Sequence, residues 1–443
     1  MKILLYGINF TPELTGIGKY TGEMATWLAA RGHEVRVVTA PPYYPAWQVG
    51  AGFRNGWGTE VMDCHGADGS LVVYRCPLWV PSRPGGAKRL LHLASFALSS
   101  LPVMLRQIFW RPDVVWVVEP PLFCAPTAAA VARLSGAKAW LHVQDFEVDA
   151  AFDLGLLKGE RIKRMVLAAE RWLVRHFDVV STISGRMLER LQAKGVAPER
   201  TVLFPNWVDI AAITPEAPGL PRFARNDETN SRHCELNDVA IQGKLNHFRA
   251  LLGIEPESVV ALYSGNMGGK QGLEVLADVA RLCQPQASAA HPEIVFVFCG
   301  NGAGRADLVQ RCAGLPNVHF MELQPMELLN DLLAMADIHL LPQRADAADL
   351  VMPSKLTGMM ASGRPVVATA VAGSELAQVV QGLLVPPEDP QAFAEAVLAL
   401  ASKPQWRAAL GAAGRKYAED HLDREAVLAK FEADLQGLVA APR

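Results

Sequence analysis

One stretch of the chain predicts its fold better than any other, and it consists of Met352-Pro353-Ser354-Lys355-Leu356 followed shortly by Ala361-Ser362-Gly363-Arg364-Pro365-Val366-Val367-Ala368-Thr369. The pattern is that of a loop, a helix start, a tight turn and a buried strand. Ser354 and Lys355 would join free backbone N–H groups, the positive end of a helix dipole and a side-chain cation, which favours phosphate binding. Taken alone, the stretch fits a solvated lysine and an ordinary turn equally well.

On both sides of this stretch, strand-like and helix-like runs alternate in two series. The first series has apolar strands at residues 3–8, 33–39, 113–118 and 139–143, and the second at residues 259–263, 294–299, 318–321, 338–341 and 365–368. Strands joined by helix-length connections predict parallel sheets that are covered on both faces. We therefore expect two doubly wound α/β domains that bind ligands at the carboxyl ends of their strands.

The length of the chain also favours two domains, since 443 residues exceed what one hydrophobic core usually serves. A polar segment without periodicity, at residues 214–242, separates the two series. We predict a first domain over residues 1–207, a linker or polar insertion over residues 208–248 and a second domain over residues 249–410. Residues 411–443 are expected to form a helix that packs back on the first domain.

Composition and charge exclude several classes of function. The net charge of −3 gives no electrostatic footprint for nucleic acid. The seven cysteines are odd in number and scattered, without a Cys-x-x-Cys pair, which indicates free thiols in a reducing compartment. No Asp-x-Asp and no histidine–cysteine cluster has the spacing of metal ligands, so we expect no metal. The apolar run after Met1 is too short for a signal peptide, and a first buried strand fits it better.

Residues 90–105 are apolar and almost uncharged, with Lys88-Arg89 before them and Arg106 and Arg111 at their end. The run falls short of the ~20 apolar residues that a spanning helix needs. Basic flanks and bulky apolar side chains fit a helix that lies in the headgroup layer of an anionic bilayer. An ordinary buried helix fits equally well.

A glycine turn follows the first predicted strand, with the sequence Thr15-Gly16-Ile17-Gly18-Lys19 ahead of a helix. Glycines at such a turn let backbone N–H groups approach a phosphate closely, so Gly16 and Gly18 are candidate phosphate contacts. Their spacing matches neither the dinucleotide fingerprint nor the P-loop, which argues against dinucleotide and ATP chemistry. The alternative is a plain tight turn.

The second domain repeats this arrangement in Tyr263-Ser264-Gly265-Asn266-Met267-Gly268-Gly269-Lys270-Gln271-Gly272. Lys270 is the strongest single candidate for neutralising a diphosphate. A leaving nucleotide gains negative charge as its bond to the sugar breaks, so a preplaced cation lowers that barrier. As a lysine on an open surface it would carry no function.

On these motifs the chain resembles the retaining glycosyltransferases of family 4, which have the GT-B fold. Its first half matches that family in Gly16-Ile17-Gly18 and in Ala29-Ala30-Arg31-Gly32-His33-Glu34-Val35. Its second half matches in Ala336-Asp337-Ile338-His339-Leu340-Leu341-Pro342, in residues 361–369 and in Gly382-Leu383-Leu384-Val385-Pro386-Pro387. Within the family, the glycine turn and Pro353-Ser354-Lys355 are similar to bacterial surface-polysaccharide enzymes of the colanic-acid type.

The resemblance implies a function and a set of partners. It implies two Rossmann-like domains that face each other across a cleft, and transfer of a hexose from a UDP- or GDP-sugar, deoxyhexoses included, with retention of configuration. The departing phosphate would take the acceptor's proton, and neither a metal nor another cofactor would be needed. We expect a lipid-linked saccharide as acceptor, no nucleic acid, and a cytoplasmic enzyme peripherally associated with the inner face of the cytoplasmic membrane.

Site residues are assigned on the same basis. Asn266, Lys270, Ser354 and Lys355 would contact the donor diphosphate, and the loop Glu322-Leu323-Gln324 would contact the nucleotide. On the acceptor side, His142-Val143-Gln144-Asp145-Phe146-Glu147 follows a predicted strand. Asp145 and Glu147 could orient an acceptor hydroxyl or stabilise a developing oxocarbenium charge; Asp145 could instead cap a helix. His142, as a lone histidine at a strand end, fits a structural role better.

The chain departs from the family pattern at three positions. The family usually carries two glutamates eight residues apart, where this chain has Leu350 and Gly358, and an arginine where this chain has Asn266. The departures leave open a catalytically inactive GT-B subunit that binds nucleotide sugar or scaffolds polysaccharide assembly. A sugar-nucleotide epimerase of the same fold is a further alternative.

Overall fold

The computed structural model describes residues 1–13, 16–62, 69–82, 85–146, 160–215, 247–284, 292–345, 353–371 and 373–441. The chain forms two compact units, one from Met1–Asn206 and Glu425–Arg443 and the other from Trp207–Ala348 and Pro353–Arg424. The chain thus returns to the first unit between Arg424 and Glu425, whereas the passage predicted from the sequence lies at residue 411. Most of the polar segment predicted as a linker lies outside the described residues.

The first unit consists of one sheet and helices on both of its faces. Its strands are β1 (Lys2–Tyr6), β2 (Glu34–Thr39), β3 (Gly58–Met62), β4 (Ser70–Arg75), β5 (Val114–Glu119), β6 (Lys138–Val143), β7 (Val179–Thr182) and β8 (Thr201–Leu203). Its helices are α1 (Ile17–Ala30), α2 (Gly86–Trp110), α3 (Ala125–Ser135), α4 (Glu160–Val174), α5 (Gly185–Ala193) and the C-terminal α14 (Arg424–Ala440).

The strand order of this sheet is β3-β4-β2-β1-β5-β6-β7-β8. All described neighbours pair in parallel except β3, which lies antiparallel to β4 at the edge. The order of the six strands from β4 to β7 is that of a doubly wound nucleotide-binding fold, and it reverses between β1 and β5. The predicted parallel α/β sheet is confirmed for this unit, with one antiparallel edge strand added.

Helices α2, α3, α4 and α5 pack on one face of this sheet and share a single apolar core with it. Right-handed crossover connections place α1 on the opposite face. Helix α14 also belongs to this unit: the ring of Phe431 stacks on Phe204 at 4.4 Å, and the Glu432 carboxylate contacts His33 and Arg31 at 2.8 and 2.7 Å.

The second unit has six strands in its described residues, all of them parallel. They are β9 (Val259–Ser264), β10 (Ile294–Cys299), β11 (Val318–Met321), β12 (Ile338–Leu341), β13 (Val366–Thr369) and β14 (Gly382–Val385). The helices are α6 (His247–Leu251), α7 (Glu274–Leu282), α8 (Arg305–Arg311), α9 (Leu329–Met335), α10 (Lys355–Ala361), α11 (Glu375–Val379), α12 (Pro390–Ala401) and α13 (Pro404–His421). The strand order is β11-β10-β9-β12-β13-β14, so the doubly wound order is repeated here and reverses between β9 and β12.

Helix α2 is longer than residues 90–105, since it runs for 25 residues from Gly86 to Trp110. By length and composition alone it could cross a membrane. In the structure one of its faces packs on the sheet through Leu93, Phe96 and Met104. The Ser100 hydroxyl also lies 2.6 Å from the Tyr6 hydroxyl under this face.

Candidate active site

The reversal of strand order in the second unit places two loops next to each other. In doubly wound sheets, ligands bind at this switch point, beyond the carboxyl ends of the two central strands. Here those strands are β9 and β12, which pair in parallel. The glycine turn at residues 265–272 follows β9, and the segment that leads to Lys355 follows β12.

The glycine turn after β9 is held firmly by backbone contacts. The Met267 N–H donates to the Asn301 carbonyl at 2.8 Å, and the Gly304 N–H donates to the Met267 carbonyl at 2.8 Å. A β-carbon at Gly300, which has φ +155°, would lie 1.9 Å from the Gly265 carbonyl oxygen, so only glycine allows this approach. The turn therefore has a fixed shape.

Lys355 reaches over this turn from the start of α10. Its Nζ lies 3.9 Å from the centre of the Tyr263 ring, and its Cδ would touch a β-carbon at Gly265 at 3.5 Å. The Nζ atom is enclosed and has no hydrogen-bond partner among the described residues. Burial lowers the pKa of the Lys355 ammonium to about 7. The Tyr263 hydroxyl donates to the Asn266 carbonyl at 2.6 Å, which fixes the ring under the ammonium.

Lys270 and Ser354 are brought to the same edge of the sheet. Lys270 belongs to a single 3₁₀ turn, Gly269–Gln271, directly before α7, and its side chain lies outside the described part of the structure. Ser354 immediately precedes α10, and its carbonyl accepts a hydrogen bond from the Thr357 hydroxyl at 2.9 Å. Because α10 has only seven residues, its dipole is short, and the Lys355 ammonium is the stronger positive group.

Sequence reasoning missed a further cation at this edge, Arg344. Its guanidinium donates to the Glu274 carboxylate at 3.0 Å, and its Cγ would lie 3.2 Å from a β-carbon at Gly272. Arg344 thus connects the loop after β12 to the first turn of α7. The two residues are 70 positions apart in the sequence, so no local sequence pattern could indicate this contact.

The predicted nucleotide loop, Glu322-Leu323-Gln324, follows β11 and lies beside the glycine turn. The Glu322 carboxylate accepts from Arg305 at 2.9 Å and from the Asn301 side chain at 3.3 Å. The Gln324 side chain donates to the Glu322 carbonyl at 2.8 Å. Asn301 therefore contacts both loops, since its carbonyl accepts from Met267 of the glycine turn.

The structure describes only one of the two positions at which the family usually has a glutamate. Leu350 lies outside the described residues. Gly358 lies on α10, where a β-carbon would be 3.4 Å from a methyl carbon of Leu333 on α9. Helix packing therefore occupies the surroundings of Gly358.

In the first unit, the glycine turn after β1 lies beside a carboxylate, whereas the turn after β9 lies beside the Lys355 ammonium. Gly16 precedes α1 with φ +62°, and nothing lies within 4 Å of a β-carbon there. A β-carbon at Gly18 would lie 2.6 Å from the Glu13 carboxylate, so Gly18 has a packing reason to be glycine. The predicted phosphate contacts of Gly16 and Gly18 stay predictions.

Glu13 is a buried carboxylate that sequence reasoning missed. One of its oxygens accepts from the backbone N–H groups of Tyr43 and Tyr44 at 3.0 Å each, and the other accepts from Asn9 at 2.9 Å. Burial raises the pKa of the Glu13 carboxyl. Glu13 thus connects the segment before the glycine turn to the loop Pro42-Tyr43-Tyr44-Pro45, which follows β2.

On the acceptor side, side-chain hydrogen bonds fix the first residue that follows β6. The Gln144 side chain donates to Asn206 at 3.1 Å and to the His142 ring at 3.0 Å, and the other His142 nitrogen lies 2.8 Å from the Ser181 hydroxyl. Burial lowers the pKa of His142 to about 3, which keeps it neutral and favours a structural role. Asp145 follows, partly buried, and Glu147 lies outside the described residues.

Within the described residues, no group of three or more histidine, cysteine, aspartate or glutamate side chains could hold a metal ion. The described cysteines, at positions 76, 124, 283, 299 and 312, are free and buried. Burial raises the pKa of the Cys283 thiol to about 12, so this group is not a ready nucleophile.

Two doubly wound α/β units, one with an enclosed lysine over the glycine turn at its switch point, are the architecture expected of the GT-B glycosyltransferases. Residues 15–207 match the glycosyl transferase 4-like domain, and residues 258–403 match the glycosyl transferases of group 1. The chain belongs to this glycosyltransferase family, and the predicted resemblance and GT-B fold are confirmed.

Individual relatives agree with this assignment. Over 447 aligned residues the chain is 42% identical to the Escherichia coli K12 protein WcaI, described as a candidate colanic acid biosynthesis glycosyl transferase, with 99% of this chain and 100% of that protein covered. The fold matches sucrose-phosphate synthase of Thermosynechococcus elongatus with a TM-score of 0.72 at 17% identity, covering 99% of both chains. It matches Anabaena HepE, solved in complex with UDP-glucose, with a TM-score of 0.65 at 16% identity, covering 99% of this chain and 100% of that one.

Proposed function

We propose that this glycosyltransferase transfers a sugar from a UDP- or GDP-sugar, deoxyhexoses included, to a lipid-linked oligosaccharide, with retention of configuration, in the assembly of a colanic-acid-like surface polysaccharide. The observation that carries the donor side of this proposal is the enclosed Lys355 ammonium, which lies above the glycine turn at the switch point without a hydrogen-bond partner among the described residues.

An ammonium in such a place needs a compensating group. Removing an ion from water costs several kcal/mol in proteins, and a cation–π contact with an aromatic ring recovers about 2 kcal/mol when it is desolvated. The Tyr263 ring therefore offsets only part of the cost for Lys355. A diphosphate oxygen would supply the missing negative partner, and its charge-assisted hydrogen bond would be stronger than a neutral one.

The same group suits the reaction. The bond that breaks joins the anomeric carbon of the donor sugar to a phosphate oxygen, and the bond that forms joins that carbon to the acceptor oxygen. The acceptor's proton passes to the departing phosphate. Negative charge on that phosphate grows as the bond breaks, so Lys355 and Lys270 would stabilise the transition state more than the ground state. Asp145 and Glu147 remain our proposals for orienting the acceptor hydroxyl.

The relatives support the substrate classes. HepE has been solved with UDP-glucose, which supports a nucleotide sugar as donor. The relative with 42% identity is named for colanic acid biosynthesis, and the likeness covers its whole length. The second observation favours surface polysaccharide assembly, for which we propose an acceptor saccharide held on a lipid. No metal and no further cofactor enters this proposal.

A lipid-linked acceptor requires contact with the cytoplasmic face of the inner membrane, and α2 offers a surface for it. Its outward face exposes an apolar stripe at Leu91, Leu98, Leu101, Leu105 and Phe109, with Leu98 72% and Phe109 88% exposed. The exposed side chains of Lys88 and Arg106 lie beside this stripe. The combination is typical of a helix that lies in a headgroup layer. We therefore propose that α2 contacts the membrane without spanning it.

A second candidate function is a non-catalytic subunit that binds nucleotide sugar. It is favoured by Gly358, which contributes no carboxylate where the family usually has one. Isothermal titration with UDP- and GDP-sugars, followed by mass spectrometry of products formed with membrane-extracted lipid-linked saccharides, separates the two candidates. Transfer, with the donor's anomeric configuration retained by NMR, supports the transferase; binding without any turnover supports the subunit. Formation of an isomeric sugar nucleotide without acceptor would identify an epimerase instead.

A further inference from the structure

Helix α4, on the same side of the first sheet as α2, has an outward face that the sugar chemistry does not use. Arg161, Met165, Ala168 and Trp172 recur along it at spacings of four, three and four, which places them in one stripe. Met165 is 73% exposed and Trp172 is 64% exposed. Two large apolar side chains are thus directed into solvent from the middle of a helix.

Among the described side chains of α4, the charge of this face has one sign. Arg164 and Arg171 flank the stripe and are exposed, as is Arg161 within it. None of these three arginines has an ion pair or a side-chain hydrogen bond to any other residue that the structure describes. Of the two glutamates of α4, Glu170 is buried and contacts Lys194, and the side chain of Glu160 lies outside the described part of the structure. Within the described residues, no acidic side chain therefore neutralises these arginines.

The neighbouring helices continue the same surface. Helix α3, which packs on α2, exposes Leu134 and Arg133. Because α2, α3 and α4 cover one face of a single sheet and share its core, their exposed faces point in the same direction. The apolar stripe of α2, Leu134 of α3 and the arginine–tryptophan stripe of α4 therefore all lie on the outer side of the same layer of helices.

We propose that α4 is a second membrane-binding helix, which recognises the anionic headgroups of a bilayer through Arg161, Arg164 and Arg171 and inserts Trp172 and Met165 between them. The inference deepens the membrane contact in the proposed function and rests on it for the location of the bilayer. Tryptophan prefers the depth at which apolar chains meet headgroups, and arginines next to it pair with lipid phosphates.

A bilayer matches the charge and the apolar side chains of this surface better than a nucleic acid does. A nucleic acid would pair with the arginines but would leave the leucine and phenylalanine stripe of α2 in water, at a cost in exposed apolar area. A bilayer satisfies both parts, since its headgroups are charged and the layer beneath them is apolar. The overall charge of −3 also shows that this positive surface is local.

The test measures binding of the full chain to vesicles by sedimentation. One vesicle contains phosphatidylglycerol and phosphatidylethanolamine, and the other contains only phosphatidylcholine. The variant Arg161→Gln/Arg164→Gln/Arg171→Gln should bind the anionic vesicles roughly a hundredfold more weakly, since each arginine contributes about fivefold. The control variant Lys403→Gln/Lys416→Gln/Lys430→Gln removes the same charge from exposed positions on α13, on α14 and at the turn before α13, and should bind as the wild type does. Glutamine keeps the helix propensity in both variants.

Two further readouts complete the experiment. Trp172→Ala should weaken binding to both kinds of vesicle, because it removes the inserted ring and no charge. Calorimetric binding of UDP or GDP should be the same in the arginine variant and the wild type, which shows that the variant is folded and separates this proposal from the donor chemistry. Equal binding of the wild type to anionic and neutral vesicles, or equal losses in the arginine and control variants, would overturn the proposal. If no nucleotide binds the wild type, the donor assignment fails while the vesicle result still decides this one.

Discussion

The two units contain the same strand–glycine–helix pattern, but different side chains lie at the two turns. After β1, the space that a side chain at Gly18 would fill is taken by the Glu13 carboxylate, which is bound by three N–H donors of its own unit. After β9, the space over the turn is taken by the Lys355 ammonium, which has no hydrogen-bond partner among the described residues. A carboxylate repels a phosphate and an ammonium attracts it. We therefore propose that the side chain at the turn, and not the glycine spacing, decides which of the two turns binds a phosphate.

Removal of the Lys355 ammonium should have the largest effect on activity. Lys355→Met keeps the length and apolar stem of the side chain and should lower kcat/KM by at least about a hundredfold, roughly the loss of one charge-assisted contact to the departing phosphate. The melting temperature should stay the same or rise, because an enclosed charge without a hydrogen-bonding partner is removed. Steady-state kinetics and calorimetry of the same preparation measure both effects. A kcat/KM close to that of the wild type would remove Lys355 from the site.

The opposite result is expected at the first turn. Glu13→Ala leaves the N–H groups of Tyr43 and Tyr44 and the Asn9 amide without their acceptor, which should lower the free energy of unfolding by about 2 kcal/mol. The affinity for a nucleoside diphosphate should not change. Urea denaturation and calorimetry provide the two values, and Glu13→Gln, which keeps one acceptor oxygen, serves as the milder control. A loss of nucleotide affinity without a loss of stability would give the first turn the role that we assign to the second.

Lys270 provides a second test of the difference between the two glycine turns. Lys270→Ala should lower turnover by at least about tenfold, since a lysine in the turn after β9 would stabilise the departing diphosphate. The effect should appear in kcat more than in KM. Lys19, which lies just after the first glycine turn, provides the matched control: Lys19→Ala removes a cation from the corresponding position and should leave turnover within about twofold. Equal losses in both variants would contradict the distinction between the turns.

A smaller effect follows from the pKa of Lys355, which burial lowers to about 7. Only the protonated amine attracts a diphosphate, so nucleotide affinity should fall by about fivefold between pH 7 and pH 8. In the unfolded chain this pKa is near its ordinary value of 10.5. The unfolded state therefore binds more protons between these two values, and the contribution of Lys355 to stability rises with pH from about 7 to about 10. Calorimetry across this range measures the first effect, and Lys355→Met should abolish the pH dependence; a steep dependence that persists in this variant would assign it to another group.

The sequence predicted the bounds of several strands in the second unit. Strand β10 begins and ends at the predicted residues, because its continuous, fully buried apolar run leaves little freedom. Strands β11 and β12 also match their predicted bounds, although each contains a histidine and β11 is a partly exposed edge strand. Strand β3 was missed because it is an exposed edge strand and lacks an apolar run. The C-terminal helix predicted over residues 411–443 is the end of α13 and the whole of α14, with a break between them at which Asp423 pairs with Val208.

The site was predictable where residue type and position coincide, and not where distant segments meet. Lys355 and the glycine turn after β9 were identified because a lysine and several glycines stand at strand-to-helix junctions. Arg344 and Glu13 were missed because their contacts join segments that are far apart in sequence, 70 residues in one case and 30 in the other. The glycine patterns of the two turns are similar, so they did not indicate that the Glu13 carboxylate lies against the turn after β1.

The most direct test of the distinction between the two turns is a crystal structure of the full chain with UDP or GDP, whichever calorimetry shows to bind. A diphosphate oxygen should lie about 3 Å from Lys355 Nζ, the length of a charge-assisted hydrogen bond, with the phosphates over residues 265–272. A diphosphate bound at residues 16–18 instead, with Lys355 still enclosed over Tyr263 and out of reach of it, would contradict the account.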